Sequence, residues 1–366
     1  MEGPVRVLVI NPGSTSTKIA CFDTSERIME RCIPHSSDTL GTFSSMVKQL
    51  PFRRESILTA LREHAVPLSS LAAVVGRGGL LHSVVGGTYV VNQRMIDDLR
   101  AGVSGDHASN LGGILAAEIA EQSAPGIPAF IVDPVVVDEL VDEARPSGIP
   151  EIPRVSIFHA LNQKAVARRF AGEIGRVYEE LALVVAHMGG GITVGSHLNG
   201  RVIDVNDGLN GEGPFTPERS GGIAALKLID MCFSGTADRT DVRLKVKGKG
   251  GLTAYLGTND AREVVGRIEN GDTEARRIYR AMAWQVAREI GAAAAVLGRR
   301  PDAVILTGGL AWDDVITGWI TDLVDWIAEV RRYPGEDEMT ALAEGAIRVL
   351  TGVEEAREYR GSDGQD

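Results

Sequence analysis

The sequence predicts an α/β protein built from two similar halves. Short apolar, β-branched segments alternate along the chain with longer segments of helical periodicity, and this alternation is typical of sheets covered by helices. Two glycine-rich hairpins, beginning near Val5 and near Leu181, each open one half of the chain. The segment 142–154, DEARPSGIPEIPR, contains three prolines between the halves and marks the best candidate boundary.

The composition supports this fold class and excludes some functions. The chain has 366 residues, of which 44% are hydrophobic, so two domains of ordinary size each have enough apolar residues for a core. The net charge is −11, and an acidic chain is electrostatically unsuited to bind phosphate polymers. The sequence therefore predicts no nucleic-acid partner.

The cysteines and the apolar segments indicate a location. The three cysteines form no Cys-x-x-Cys pair and no disulfide framework, which fits a reducing compartment. The N-terminus lacks a basic-then-apolar signal pattern, and no apolar run is long enough to cross a bilayer. We therefore expect a cytoplasmic protein without a membrane partner.

The secondary structure follows from periodicity. Strands are predicted for VRVLVI (5–10), TKIACF (17–22), LAAVVG (71–76), GTYVVN (87–92), AFIVD (129–133), LALVVAH (181–187), GITVGSHL (191–198) and DAVILTGG (302–309). Helices are predicted for 108–122, 158–175, 274–298 and 337–352. The second hairpin has two turns, HMGGG and LNG, and so three strands. Together with the first hairpin it indicates a weak internal repeat of the βββαβαβα kind.

The hairpin turns are candidate phosphate sites. The first supplies Gly13, Ser14, Thr15, Ser16 and Lys18, and the second supplies Gly189 to Gly191. Turns with few side chains let backbone N–H groups point at an oxyanion. A Gly-x-x-x-x-Gly-Lys-Ser/Thr loop is absent, and glycine-rich hairpin turns are usually only turns. Their matching places in the two halves nevertheless favour phosphate binding.

Other candidates stand at predicted strand ends and helix starts. Gly308 and Gly309 follow a strand, where an adenine could lie or where a helix could simply begin. His159 stands between a strand and a helix, and His107 stands at a helix start, although a lone histidine is more often a cap. No spacing of the seven histidines is that of a zinc site.

Two arginines and several acids carry more specific chemistry. Arg77 and Arg219 each lie among glycines, and a guanidinium suits carboxylate and phosphate oxygens, although surface ion pairs are the alternative. Asp133 follows a strand, and the acids of PGEDEM (334–339) head the last helix. Those acids could complement the helix dipole or hold the Mg²⁺ of ATP.

Taken together, the motifs resemble one family. The stretches INPGSTSTKIA, GRGGLL, GDHASNLGG, FIVDPVVVDEL, SIFHALNQKA, VAHMGGGITVGSH, GEGPFTPERSGG, GGLTAYLGTNDAREV, VILTGGLA and YPGEDEMTALAEGAIRVL are similar to the butyrate kinase branch of the acetate kinase family. That family belongs to the superfamily of acetate and sugar kinases, Hsp70 and actin. The similarity covers nearly the whole chain and is weakest at about 24–70 and after 352.

The resemblance implies a fold, an activity and partners. The fold would be two actin-like ATPase (ribonuclease H-like) domains around a central cleft, each with a mixed five-stranded sheet and flanking helices. One domain would span 1–154 plus 339–366, closed by the C-terminal helix, and the other 155–338. The chain would be a phosphotransferase with a carboxyl acceptor that transfers the γ-phosphoryl group of ATP reversibly to butanoate, with Mg²⁺ as cofactor. It would form a dimer or a larger homo-oligomer.

The resemblance also implies residue roles. Asn11 and Glu338 would serve the metal, with Glu336 and Asp337 left open as alternatives to Glu338. Catalysis would involve Arg77, Arg219, His159, Asp133 and His107. The nucleotide would contact Ser14, Ser16, Lys18, His187, Gly189, Gly190, Gly191, Asp260, Arg262, Gly308 and Gly309, and the substrate pocket would include Gly79 and Phe158.

The acceptor itself stays open. Acetate kinases tend to carry valine two residues after the first site arginine, where this chain has Gly79, and our hypothesis is that the glycine leaves room for a longer acyl chain. Acetate, propionate and branched acids such as isobutyrate remain alternatives. A sugar kinase would leave the paired arginines without a role. A non-catalytic actin- or Hsp70-like ATP switch is the alternative from another class.

Overall fold

The structure, a computed structural model, describes residues 5–364. The strands are β1 Arg6–Pro12, β2 Ser16–Asp23, β3 Glu26–Pro34, β4 Ala73–Arg77, β5 Thr88–Val90, β6 Ala129–Val132, β7 Ala182–Met188, β8 Ile192–Leu198, β9 Arg201–Val205, β10 Ala303–Gly308, β11 Val330–Pro334 and β12 Arg357–Glu358. The helices are α1 Ser37–Gly41, α2 Leu50–Glu63, α3 Gln93–Ala101, α4 Asn110–Ser123, α5 Ala160–Glu173, α6 Ala225–Phe233, α7 Arg239–Val246, α8 Gly251–Leu256, α9 Ala261–Glu269, α10 Thr273–Val296, α11 Asp314–Val324 and α12 Glu338–Leu350. Short 3-10 helices lie at Met46–Gln49, Leu68–Ser70, Asp142–Ala144, Tyr178–Glu180, Gly309–Trp312 and Gly361–Gly364.

Backbone contacts divide the chain into two compact units. The first runs to Val137 and resumes at Asp337, and the second is Asp138–Glu336. The domain boundaries expected from the sequence, 154/155 and 338/339, therefore differ from these unit limits and remain a prediction. Within residues 5–364, every helix is too short or too polar to span a bilayer.

The first unit is a mixed sheet with helices packed on it. Its strand order is β12-β5-β6-β4-β1-β2-β3, with β1, β2 and β3 antiparallel and β1, β4 and β6 parallel. Helices α4 and α12 pack on β1, β4 and β6, and buried Leu, Ile and Val side chains fill the space between. At Gly76 a Cβ would lie 2.1 Å from the carbonyl oxygen of Gly112, so strand and helix meet backbone to backbone directly before Arg77.

The second unit repeats this topology. Its sheet has the order β11-β10-β7-β8-β9, in which β7, β8 and β9 are antiparallel and β7, β10 and β11 are parallel. The 24-residue helix α10 packs on the sheet with the side chains that recur at helical spacing, from Ala275 and Ile278 to Ile290 and Ala293. The shared order β6-β4-β1-β2-β3 and β11-β10-β7-β8-β9 confirms the internal repeat that the two hairpins indicate.

The sequence predictions of secondary structure hold in outline, with specific differences. The eight predicted strands and four predicted helices are present, and the second hairpin has its three strands. The second sheet has five strands as expected, but the first has seven, because the short strands β5 and β12 extend it beyond β6. Strands β3 and β11 were not predicted from the sequence. Both are edge strands with several exposed charged residues, so neither contains the apolar run on which the strand predictions rest.

Candidate active site

Parallel pairing brings two predicted site residues together in the first unit. Ile10 of β1 pairs with Gly76 of β4, so the next residues, Asn11 and Arg77, lie side by side at the carboxyl ends of their strands. Glu338 is the first residue of α12, which packs on both strands. The Arg77 Nη1 donates to Glu338 Oε2 at 2.8 Å, and Asn11 Nδ2 donates to the same oxygen at 2.7 Å. These three residues form the cluster that we call the Asn11–Arg77–Glu338 triad.

The three acids of PGEDEM have different surroundings. Glu338 belongs to the triad. Asp337 caps α12 and pairs with Arg27 at 2.6 Å, and it has an unusual positive φ of 27°. Glu336 lies in the second unit, with Oε1 3.4 Å from His187 Nε2. Of the alternatives left open by the sequence, Glu338 is thus the acid that contacts Asn11.

The donor chemistry of the triad suits Mg²⁺. An amide oxygen of Asn11 and a carboxylate of Glu338 are the hard oxygen ligands that this ion prefers. Among residues 5–364 no group of three or more His, Cys, Asp and Glu side chains is arranged to hold a metal. A magnesium ion at the triad would therefore take its remaining ligands from nucleotide phosphates and water, as Mg²⁺ usually does.

The first hairpin turn is closed on its own backbone. The N–H of Gly13 donates to the carbonyl oxygen of Ser16 at 2.8 Å, and Ser14 and Thr15 are exposed at the tip. Lys18, which pairs with Asn11 across the hairpin, has its ammonium 2.9 Å from Glu30. Ser14, Ser16 and Lys18, whose phosphate contacts remain a prediction, thus lie at one end of the first hairpin, beside Asn11.

Asp133, His107 and Gly79 occupy the same unit. Asp133 follows β6, is 1% exposed and has a φ of 36°, and its Oδ1 accepts a 2.8 Å hydrogen bond from the Gly87 N–H. A buried aspartate in the left-handed region is strained, and such strain concentrates at functional sites. His107 Nδ1 hydrogen-bonds to Ser109 Oγ at 2.9 Å, just before α4.

Gly79 has a packing reason that the sequence did not reveal. A Cβ there would lie 2.6 Å from the Asn110 Cα and 2.7 Å from the Leu99 Cδ2. The space beside Gly79 is therefore filled by α4 and α3. This packing corrects our hypothesis that the glycine leaves room for a longer acyl chain. Its place in a substrate pocket remains a prediction, and a valine here would disturb the packing of the unit.

In the second unit, two histidine rings stack on each other. The rings of His159, before α5, and His187, in β7, are 3.7 Å apart and inclined by 10°. His159 Nδ1 hydrogen-bonds to Thr193 Oγ1 at 2.9 Å, and His187 Nδ1 to Asn162 Oδ1 at 2.7 Å. These bonds fix both ring orientations, which a residue that stabilises phosphoryl oxygens requires. Phe158, directly before His159, is buried.

Arg219 lies against the second glycine turn. Its Nη1 donates to the carbonyl oxygen of Gly208, and a Cβ at Gly191 would lie 2.1 Å from that nitrogen, so the glycine makes room for the guanidinium. The Arg219 Nε is buried and has no hydrogen-bond partner within residues 5–364. Burial lowers the pKa of Arg219, and nearby Glu218 and Asp207 oppose this effect. A half-buried, incompletely bonded guanidinium is suited to an anionic ligand.

A cavity of about 880 Å³ in the second unit collects five of the predicted nucleotide residues: Gly189, Gly190, Asp260, Arg262 and Gly309. Its size suits a nucleotide-sized ligand. Asp260 caps α9, and its hydrogen bond from Arg262 lowers the pKa of the carboxyl to about 2. Gly308 serves packing, because its φ is +86° and a Cβ would lie 2.4 Å from the Met188 carbonyl oxygen.

The cavity also contains residues that sequence reasoning missed. Trp312, Glu218 and Glu269 line it together with the nearby residues Pro217, Asn259, Ala261, Val265, Gly266, Leu310 and Asp313. Trp312 is 70% exposed, although it is a large aromatic residue four positions after Gly308. The sequence feature that could have indicated Trp312 is its position in GGLAW, shortly after the glycines predicted to border the adenine.

Comparison with known proteins finds a family match in the second unit. Residues 152–315 match the Acetokinase family. The matched segment contains His159, His187, Arg219 and Asp260, as well as the second glycine turn.

Solved structures of similar proteins extend the likeness to the fold of nearly the whole chain. An acetate kinase from Porphyromonas gingivalis is 18% identical and has a TM-score of 0.78, covering 94% of this chain and 100% of that chain. An acetate kinase from Entamoeba histolytica is 16% identical at a TM-score of 0.76, with 94% and 100% covered. A propionate kinase from Francisella tularensis subsp. tularensis SCHU S4 is 17% identical at 0.71, with 93% and 98% covered. The chain thus has the two-sheet α/β fold of these kinases.

Proposed function

We propose that the chain is a carboxylate kinase of the acetate kinase family, with butanoate as its preferred acceptor. It transfers the γ-phosphoryl group of ATP reversibly to a short-chain carboxylate, giving ADP and an acyl phosphate. Acetate, propionate and branched acids such as isobutyrate are the alternative acceptors. The match of residues 152–315 to the Acetokinase family supports the reaction class.

The observation that carries the proposal is the Asn11–Arg77–Glu338 triad. It joins a guanidinium, an amide and a carboxylate within 2.7 to 2.8 Å at the ends of two parallel strands. Parallel strand ends are where α/β proteins bind ligands. The cavity of about 880 Å³, which is lined by five predicted nucleotide residues, supports the proposal that ATP is the donor.

The chemistry needs positioning and charge neutralisation rather than a base. A carboxylate is already ionised at neutral pH, so its oxygen can attack the γ-phosphorus directly while the bond to the β-phosphate oxygen breaks and ADP leaves. Arg77 binds the carboxylate, and Arg219, whose Nε has no partner in residues 5–364, binds phosphoryl oxygens. His159, held by Thr193, stabilises the same oxygens. Asp133 and His107 support this arrangement.

The remaining nucleotide contacts come from the turns. Ser14, Ser16, Lys18 and Gly189 to Gly191 bind phosphates, with His187 beside the second turn. Asp260, Arg262 and Gly309 border the ribose and adenine, with Gly308 shaping the strand end. Mg²⁺, held through Asn11 and Glu338, neutralises phosphate charge when it is bound.

The test is a panel of acceptors with purified protein. ADP release from MgATP is measured with acetate, propionate, butyrate, isobutyrate and valerate, and without an acid. We expect release that depends on the acid, with the highest kcat/KM for butyrate. Each buried methylene contributes only about 0.8 kcal/mol, so neighbouring acids should differ by about fourfold per carbon. Equal rates with and without acid would contradict the reaction class, and a maximum at another acid would reassign the acceptor.

A further inference from the structure

Thr193 joins His159 to a buried chain of hydrogen bonds in the second unit. Besides His159 Nδ1, Thr193 Oγ1 contacts Gln163 Nε2 at 2.9 Å, and the same nitrogen lies 3.0 Å from the Thr193 carbonyl oxygen. Gln163 Oε1 lies 2.9 Å from His197 Nε2, and His197 Nδ1 lies 2.7 Å from the Tyr178 hydroxyl. Thr193, Gln163 and His197 are each 0% exposed, so the partners of their polar atoms have to be found within the protein.

The Gln163 amide gives this chain of hydrogen bonds a direction. A carbonyl oxygen can only accept, so the Gln163 atom that faces the Thr193 carbonyl is the nitrogen, which has two protons. One proton is donated to that carbonyl and the other to Thr193 Oγ1. The threonine hydroxyl has one proton of its own, and its other hydrogen-bond neighbour among the described residues is His159 Nδ1. Thr193 therefore donates to His159 Nδ1.

The acceptor role of Nδ1 decides the form of the His159 ring. A neutral imidazole has a single N–H, which is then on Nε2. In a charged ring both nitrogens have a proton, so Nδ1–H would face the Thr193 hydroxyl and leave the hydroxyl proton without an acceptor. A buried donor that loses its acceptor is costly. The hydrogen bonds around Thr193 thus favour neutral His159 with its proton on Nε2.

The stacked neighbour His187 is held in the opposite form. Asn162 Nδ2 donates to the carbonyl oxygens of Gly335 and Glu336, so Asn162 Oδ1 accepts from His187 Nδ1. A neutral His187 therefore has its proton on Nδ1. If the Glu336 carboxylate, 3.4 Å from His187 Nε2, draws a second proton to that ring, a charged His159 stacked 3.7 Å away would be still less favourable.

We propose that Thr193 and Gln163 are positioning residues that hold His159 as a neutral ring with its proton on Nε2, a proposal that rests on the proposed function. In this form the ring offers Nε2–H to a phosphoryl oxygen and leaves charge neutralisation to Arg77 and Arg219. The proton stays on Nε2 throughout, since a carboxylate acceptor needs no acid or base. Because the donor is set before the substrate binds, no tautomer exchange is needed in the transition state.

The form of His159 is measured by ¹⁵N NMR of histidine-labelled protein, independently of activity. We expect wild-type His159 to have a protonated Nε2 and an unprotonated Nδ1 from about pH 6 to 8, with the resonances assigned by their loss in His159→Gln. Thr193→Val removes the hydroxyl at nearly constant volume and should yield a mixture of tautomers, and Thr193→Ser should restore the single form. A wild-type ring protonated on Nδ1 or on both nitrogens would overturn the proposal.

Kinetics separate positioning from a general loss of stability. Thr193→Val and Gln163→Met should each lower kcat with butyrate at least tenfold while the KM for ATP stays within about threefold. Thr317→Val is the matched control, because Thr317 is also 0% exposed in this unit and donates to the Asp313 carbonyl oxygen, and its kcat should not change. An Nε2-protonated wild type that phosphorylates no acid would contradict the proposed function alone. Wild-type kcat in both Thr193→Val and Gln163→Met would overturn the positioning role.

A separate observation concerns Arg53, which lies behind the first hairpin turn. Arg53 in α2 is 0% exposed. Its Nη1 donates to the Ser16 carbonyl oxygen at 3.0 Å and to Thr17 Oγ1 at 2.9 Å, and its Nη2 donates to the Ser14 carbonyl oxygen at 3.4 Å. Its Nε donates to Gln49 Oε1 at 3.0 Å. These partners are all neutral, and the ion pairs found in residues 5–364 include none to Arg53, so this buried charge has no carboxylate partner there.

We infer that Arg53 is a positioning residue for the predicted phosphate turn, an inference that also rests on the proposed function. A buried charge without a counter-ion is costly, and hydrogen bonds to neutral carbonyls offset only part of that cost. A phosphate on the outer side of the turn would supply the missing negative charge. Because the carbonyls of Ser14 and Ser16 are held inward by Arg53, the turn is also fixed before the ligand arrives.

Arg53→Met and Arg53→Lys test this role, with Arg54→Met as the matched control because the neighbouring Arg54 pairs with Glu118. We expect Arg53→Met to raise the KM for ATP about tenfold or more, Arg53→Lys to recover part of the loss, and Arg54→Met to leave it unchanged. Pyrophosphate, as a probe of the turn, should raise the unfolding temperature of wild type but not of Arg53→Met. An inactive wild type that is still stabilised by pyrophosphate would contradict the proposed function alone. An active Arg53→Met with unchanged KM and unchanged pyrophosphate response would overturn the role of Arg53, as would a wild type that pyrophosphate does not stabilise.

Discussion

Glu338→Gln separates a catalytic role of the triad from a structural one. The ion pair of Glu338 with Arg77 is partly exposed, with 41% of the Arg77 side chain and 21% of the Glu338 side chain accessible. Such pairs contribute at most about 1 kcal/mol, and glutamine keeps the shape and one hydrogen bond to Asn11. We therefore expect the free energy of unfolding to fall by about 1 kcal/mol or less.

Activity should respond far more strongly to the same change. A carboxylate that holds the Mg²⁺ which neutralises the phosphoryl group would contribute about 3 to 4 kcal/mol in the transition state, so its loss corresponds to a fall in kcat of about a hundredfold to a thousandfold. Urea unfolding measures the stability, and ADP release with saturating butyrate and MgATP measures kcat. Asp337→Asn is the control, because Asp337 pairs with Arg27 and is 48% exposed, and its kcat should stay within about threefold of wild type.

Three outcomes would refute this reasoning. If Glu338→Gln kept kcat within about threefold, Glu338 would not serve the reaction. If it lost several kcal/mol of stability together with its activity, the triad would be structural. A larger loss in Asp337→Asn than in Glu338→Gln would transfer the role to the neighbouring acid.

Three further predictions follow from particular residues. Gly308→Ala should lower the free energy of unfolding by about 2 to 4 kcal/mol, since the φ of Gly308 is +86° and a Cβ would lie 2.4 Å from the Met188 carbonyl oxygen. A Cβ at Gly309 would have no atom within 4 Å, so Gly309→Ala should be nearly neutral in urea unfolding. Equal effects of the two substitutions would contradict this prediction. Trp312→Ala should raise the KM for ATP about fivefold to a hundredfold at unchanged kcat if the indole stacks on the base, and an unchanged KM would remove Trp312 from the nucleotide site. Burial, with the nearby Arg53 charge, lowers the pKa of His35 from 6.5 to about 4, so the unfolded chain takes up this proton at a higher pH than the folded chain does. The free energy of unfolding should therefore fall by about 2 to 3 kcal/mol as the pH falls from about 6.5 to 4. His35→Gln should reduce this dependence of stability on pH, and an unchanged dependence in chemical denaturation would refute the prediction.

The sequence predicted those parts of the fold whose patterns are local. Short apolar, β-branched runs predicted the buried strands β1, β4, β6, β7 and β10, and the two matching hairpins predicted the internal repeat. Strands β3 and β11 were missed because an edge strand is stabilised on one side only and can keep its charges in water. The short strand β12 pairs with β5 across a long sequence separation, which no local pattern reveals.

The site was predicted in its residue types more than in its contacts. Asn11, Arg77 and Glu338 were each named, but their meeting depends on the parallel pairing of β1 with β4 and on where α12 begins. Gly79 and Gly308 looked like ligand contacts and have packing reasons, because a glycine that lets two backbones approach looks the same in sequence as one that admits a ligand. Arg53 was missed because a charged residue in an amphipathic helix is usually on its solvent side.

The direct measurement of the central claim is ³¹P NMR of wild type with MgATP and butyrate. We predict a new acyl phosphate resonance that grows as the γ-phosphate signal of ATP declines, reverts on addition of ADP, and is absent with Arg77→Ala. Inorganic phosphate as the only product, at a rate independent of butyrate and of the other acids, would contradict the account.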